Sequence, residues 1–91
     1  MQTVTIERLE SLIVKVDYSN NGKTTTCILH LKNGFQVVGF SGVVDVTNFN
    51  QELGEKYAYE NCINKLWELE GYRLQWQLFE QKEFEWLKNN G

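Results

Sequence analysis

The chain has 91 residues, 42% of them apolar and 13% aromatic, with no proline, which is the length of one globular domain spanning residues 1–91 and leaves no room for a second. Nine Lys and Arg against twelve Asp and Glu give a net charge of −3, the wrong sign for holding a long nucleic-acid backbone. There is no apolar run near the ~20 residues of a membrane span, and the N-terminus lacks a basic segment followed by an apolar one, so the expectation is a soluble, unexported chain that engages no membrane.

The first predicted element is a short helix. Thr5 is a capping-type residue, Glu7 lies in the first turn, and Ile6, Leu9 and Ile13 follow at helical spacing. Val14, Val16 and Tyr18 then alternate with Lys15 and Asp17 at the two-residue period of a half-buried strand, and residues 19–23 (SNNGK) read as a turn. Thr24–Lys32 and Phe35–Ser41 are β-rich runs around Asn33-Gly34, the signature of a hairpin with a two-residue type I′ turn. One face of the first run carries Cys27, Leu29 and Leu31, the other Ile28 and His30. Gly39 marks a bulge or a close approach by another backbone or a ligand.

Asn48 is a natural N-cap for a helical pattern from Phe49 through Leu66. Leu53, Tyr57, Cys62, Leu66 and Leu69 form one apolar stripe, and Tyr59, Ile63 and Trp67 a second. Glu70-Gly71-Tyr72 interrupts that helix, and a second helical stretch carries Leu69, Tyr72, Trp76, Phe79 and Trp86, flanked by Leu74 and Leu78. The expected fold class is therefore α+β: a short helix and an antiparallel sheet of about three strands over residues 5–47, then a pair of C-terminal helices over residues 48–89. The aromatic surplus of that pair points to a homo-oligomer, because large aromatic side chains anchor interfaces; a core filled around Trp67 and Trp76 is the alternative.

No catalytic constellation emerges. His30 alternates with apolar neighbours inside a strand, no glycine-rich phosphate loop is present, and the helical carboxylates are interspersed with lysines as on a solvated face. Cys27, Cys62 and the single histidine cannot supply the four ligands of a usual zinc site within one protomer, so the cysteines read as small buried residues and neither a metal nor a cofactor is expected. The binding candidates are more specific. Free N–H groups where Asn48 and Phe49 open a helix favour an anion. Arg73, beside Tyr72 and near Trp76, suits phosphate contact with base stacking, or else an ion pair with Glu70 or Glu80. Asn61, Asn64 and Lys65 form a polar edge on an otherwise apolar helix, fitting a buried amide contact to an interface or ligand, or plain exposure.

Three runs carry a family resemblance: LKNGFQVVGFS (Leu31–Ser41), Asn48-Phe49, and GEKYAYENCINKLWELEGYRL (Gly54–Leu74), together 34 of the 91 residues. They resemble a family of small phage proteins first catalogued as uncharacterised podophage gene products, and are similar to the first type of Thoeris anti-defence protein, a sponge for the cyclic ADP-ribose isomers made by bacterial TIR-domain enzymes. The resemblance implies a phage-encoded, non-enzymatic protein of the host cytoplasm, a homodimer or homohexamer, that sequesters a cyclic nucleotide immune signal, cyclic trinucleotides included, without cleaving it. A dianionic ligand of that kind would fall to Arg73 and Lys65 with the N–H groups near Asn48, stacking to Phe49 or Tyr72, and an amide contact to Asn61, leaving Glu70 and Trp67 to architecture. The rival readings are a phage accessory protein working through protein–protein contacts and, with no base–nucleophile pair to name, an enzyme that degrades such a signal.

Overall fold

The structure, a computed structural model, describes residues 4–42 and 50–90. Helix α1 (Ile6–Ser11) is followed by strands β1 (Ile13–Asn21), β2 (Thr24–Leu31) and β3 (Gln36–Gly42) and a long helix α2 (Gln51–Asn90). The strands form one antiparallel sheet in the order β1-β2-β3, so the fold is α+β with helices on one sheet face. Thr5 caps α1 as expected: its Oγ1 accepts the Arg8 N–H at 3.2 Å. Leu9, fully buried, ties α1 to the core.

The two turns exchange the roles read from the sequence. Asn21 pairs with Thr24 across Gly22-Lys23, so β1 runs through most of the segment expected to turn. Gly22 has φ +64° while Lys23 has no positive φ, the pattern of a two-residue type II′ hairpin, which needs glycine only at its first position. The type I′ turn expected at Asn33-Gly34 is overturned, since only Gly34 has a positive φ (+90°). The Gly34 N–H instead donates to Leu31 O at 3.0 Å and the Leu31 N–H to Phe35 O at 3.0 Å, a three-residue connection with a glycine bulge. Asn33 serves by side chain, its Oδ1 accepting the Phe35 N–H at 2.9 Å.

Alternation on β2 places Thr25, Cys27, Leu29 and Leu31 against α2 and leaves the other face half-exposed. The hydrophobic core joins Cys27, Leu29 and Leu31 to Leu9, Val37, Ala58, Cys62, Ile63 and Leu66. The helix stripe differs from the one read in the sequence. Gly54, Ala58, Cys62 and Leu66 face the sheet, while Leu53 and Tyr57 are exposed. The reason is proximity. A Cβ on Gly39 would lie 2.6 Å from Cys62 N and 2.9 Å from Ala58 O, so β3 and α2 approach backbone to backbone and only small residues fit between them.

The expected pair of C-terminal helices is a single helix of 40 residues, about 60 Å long at 1.5 Å per residue. Gly71 costs ~1 kcal/mol in a helix interior without ending it, no proline follows, and the Glu70–Arg73 pair spans the glycine at i,i+3. The molecule is accordingly elongated, 66 × 23 × 18 Å, with a radius of gyration of 18.1 Å, against about 12 Å for a compact chain of this length. No residue beyond Leu66 is buried among those described.

Candidate functional site

Where α1, the β2–β3 connection and the middle of α2 converge, Arg8, Leu12, Leu31, Lys32, Asn33, Glu70 and Arg73 line a cleft of about 250 Å³. Helix α1 delivers Arg8 and is anchored by buried Leu9, which shares the core with Ala58, Cys62, Ile63 and Leu66 of α2. The Lys32 N–H donates to Leu12 O at 2.9 Å, fixing the β2 end beside the α1 end. Three cations and one carboxylate line the cleft, a net of +2 over an apolar floor of Leu12 and Leu31. Glu70 receives Arg73 on both oxygens, Nε at 2.9 Å and Nη2 at 3.1 Å, and lies 4.0 Å from Arg8 Nε.

The six sequence-derived binding residues are not brought together. Asn48 and Phe49 lie outside the described residues. Arg73 lines the cleft, and Tyr72, 67% exposed, stands next to it in an edge-to-face contact with Trp76 (centroids 6.3 Å apart). Lys65 and Asn61 are elsewhere, on the α2 turns that border β3. The Asn61 Oδ1 accepts the Phe40 N–H at 3.1 Å, and Lys65 Nζ donates to Val38 O at 2.7 Å while sitting 5.2 Å from the Phe40 ring centroid. Those N–H and C=O groups belong to the outer edge of the sheet, so two polar side chains occupy the place of a fourth strand and blunt the edge against pairing with another chain. Lys65 and Arg73 are also eight residues apart on one helix, about 12 Å along its axis, and their side chains are turned to different partners, Val38 O for Lys65 and Glu70 for Arg73. Arg8 and Lys32 were missed. Arg8 is one of only two arginines in the chain, yet no local spacing reveals that α1 folds back against Glu70.

His30 lies on the sheet face opposite Leu31. It is hydrogen-bonded through Nε2 to Asp17 Oδ2 (2.7 Å) and through Nδ1 to the Gln36 amide (3.3 Å), and Lys15 also reaches that carboxylate at 3.6 Å. Cys27 and Cys62 are free and buried, the Cys62 thiol donating to Cys27 O at 3.1 Å. Burial, reinforced by Cys62, pushes the Cys27 thiol up to about 12, and burial raises Cys62 as well. Both thiols are therefore neutral packing groups rather than nucleophiles at physiological pH. Among the described residues no cluster of three or more His, Cys, Asp or Glu could hold a metal, and no helix is long and apolar enough to cross a membrane.

The protein-family model described as the Phage protein (N4 Gp49/phage Sf6 gene 66) family matches residues 4–78. The chain belongs to that family. The match takes in α1, the whole sheet, the cleft and the first part of α2, and stops before the last turns of the aromatic helix. No curated protein and no solved structure matches the chain.

Proposed function

We propose that this phage-family protein is an anti-defence factor of the host cytoplasm that binds and sequesters a cyclic nucleotide immune signal, a cyclic ADP-ribose isomer or a cyclic trinucleotide, without cleaving it. The observation that carries the reading is the cleft of Arg8, Lys32 and Arg73 around Leu12 and Leu31: net +2 at its wall and apolar at its floor, it offers charge to phosphates and a surface to a base or ribose. Its 250 Å³ falls below the ~300–1,000 Å³ of sites that enclose a whole small ligand. The remainder of the ligand extends over Tyr72 or is covered by a second copy. Sequestration also accords with His30 being on the far sheet face and with both thiols being held protonated.

Calorimetric titration with cyclic ADP-ribose isomers and cyclic di- and trinucleotides, followed by heat denaturation and chromatography of the released ligand, tests this reading. Binding with intact recovery is expected. Altered ligand would make the protein an enzyme, and no binding across the panel would overturn sequestration.

The exposed aromatic stripe of α2 favours a second reading, an accessory protein acting through protein–protein contact. Trp76 packs edge-to-face on Phe79 (5.7 Å between centroids), with Phe84, Trp86 and Leu87 exposed beyond, and patches of this kind mark interaction surfaces. The same stripe serves the first reading as the contact between copies of a homodimer or homohexamer. A host or phage protein held at that stripe in place of a second copy would favour the accessory role.

A further inference from the structure

Glu70 is the most enclosed charge of the cleft: its side chain is 11% exposed, against 52% for Arg8 and 51% for Arg73. Two explanations of its place make opposite predictions. As a bound counter-ion it would compete with an anionic ligand for Arg73, whereas as a support it would hold Arg73 in the geometry that the ligand needs. The contact itself decides between them. Glu70 grips Arg73 along the Nε–Nη2 edge, which consumes two of the five guanidinium N–H donors. The Nη1–Nη2 end keeps its parallel pair of donors, the fork that matches two oxygens of a phosphate. Arg73 is half-exposed and would otherwise sample many rotamers, as long flexible side chains do.

We propose that Glu70 is the positioning residue of an anion site for a diphosphate-bearing ligand, in which Arg73 presents its free fork to one phosphate while Arg8 and Lys32 take the other. The net +2 of the lining matches the two charges of a pyrophosphate linkage with Glu70 still in place. This deepens the sequestration reading and rests on it for the biological source of the ligand, while the anion site itself rests on the Arg8–Glu70–Arg73 geometry.

The test is calorimetric titration of the full chain with pyrophosphate and with adenosine diphosphate. The wild type is expected to bind both. Glu70→Gln, of the same size, is expected to weaken binding about tenfold, as loss of an organising contact in a coupled pair does, although it raises the net charge of the cleft to +3 and charge alone would tighten binding. Arg73→Lys keeps the charge and loses the fork, and should weaken binding to the same degree; because Arg73 is half-exposed, this variant keeps the fold. The double variant should lose no more than either single one. Unchanged or tighter binding by Glu70→Gln, additive losses in the double variant, or no binding of either probe by the wild type would each overturn the proposal. If both probes bind as described and no cyclic nucleotide does, the anion site stands and the sequestration reading falls.

Discussion

The two halves of α2 are continuous in backbone and opposite in circumstance. From Gln51 to Leu66 the helix lies on the sheet, with Gly54, Ala58, Cys62, Ile63 and Leu66 buried and Asn61 and Lys65 closing the β3 edge. From Trp67 to Asn90 nothing is buried, and Tyr72, Trp76, Phe79, Phe84 and Trp86 are exposed. The proximal half is helical because tertiary packing holds one face. Past the cleft, where Glu70 meets Arg8, the distal half buries no face against the rest of the chain, and packing of a face is what gives most protein helices their stability. The difference teaches that the fold of one copy accounts for the proximal half of the helix and leaves the aromatic face of the distal half uncovered, and that the Arg8–Glu70–Arg73 cleft sits at their junction.

The largest expected effect lies in the proximal half. Gly39→Ala would drive a Cβ into the backbone of Cys62 and Ala58, so the sheet and helix must separate; a loss of about 3 kcal/mol in chemical denaturation is expected, as for overpacking at an unyielding site. Leu66→Ala, which empties a fully buried position, should cost on the order of 2–5 kcal/mol by the same measurement. A stability near that of wild type for either variant would mean that α2 does not lie on the sheet as described.

Alkaline pH should act on this half as well. The Cys27 thiol titrates near 12 in the folded protein, while in the unfolded chain it ionises at an ordinary value near 9. The unfolded state therefore loses its proton first, and the thiol's contribution is fully present below pH 9 and is lost as pH rises from about 9 toward 12. Burial raises Cys62, Tyr18 and Tyr59 in the same direction, so their contributions have the same sign. The melting temperature should fall over that window, and Cys27→Ala should make the fall shallower.

Smaller effects separate the halves more finely. Asn61→Leu leaves the Phe40 N–H without its partner and should cost about 1 kcal/mol, with a greater tendency to associate through the freed strand edge. Trp76→Ala and Phe79→Ala should barely change the denaturation midpoint of a single copy, yet lower the mass measured by sedimentation if the distal stripe joins two copies. At the junction, Gly71→Ala meets open space and should stabilise by about 0.5–1 kcal/mol through helix propensity; destabilisation there would show that the helix bends at Gly71.

Much of the fold was legible because its signals are local. The Thr5 cap, the alternation of Cys27, Leu29 and Leu31, and the close approach at Gly39 each follow from a few neighbouring residues. The turns were legible only as turns: whether Asn33 or Gly34 takes the positive φ depends on how the strands twist around it. Gly71 misled because a single glycine without a following proline leaves the helix to be decided by its neighbours, here the Glu70–Arg73 pair. The stripe through Leu53 and Tyr57 misled for the complementary reason, since hydrophobicity ranks leucine above glycine and alanine, whereas a backbone-to-backbone contact selects the smallest residues. Of the candidate site, Arg73 was visible from its aromatic neighbours. Arg8 and Lys32 were not, because they meet it only through long-range folding, and Asn61 and Lys65 look like ligand contacts until the edge of β3 is seen beside them.

Residue-resolved amide exchange along α2 at two widely separated protein concentrations tests the division of the helix most directly. Protection over residues 54–66 should be high and independent of concentration, and protection over residues 72–87 should be low in dilute solution and rise as copies associate. Uniform protection along the whole helix at both concentrations would contradict the division and remove the reason for assigning its distal half to a partner.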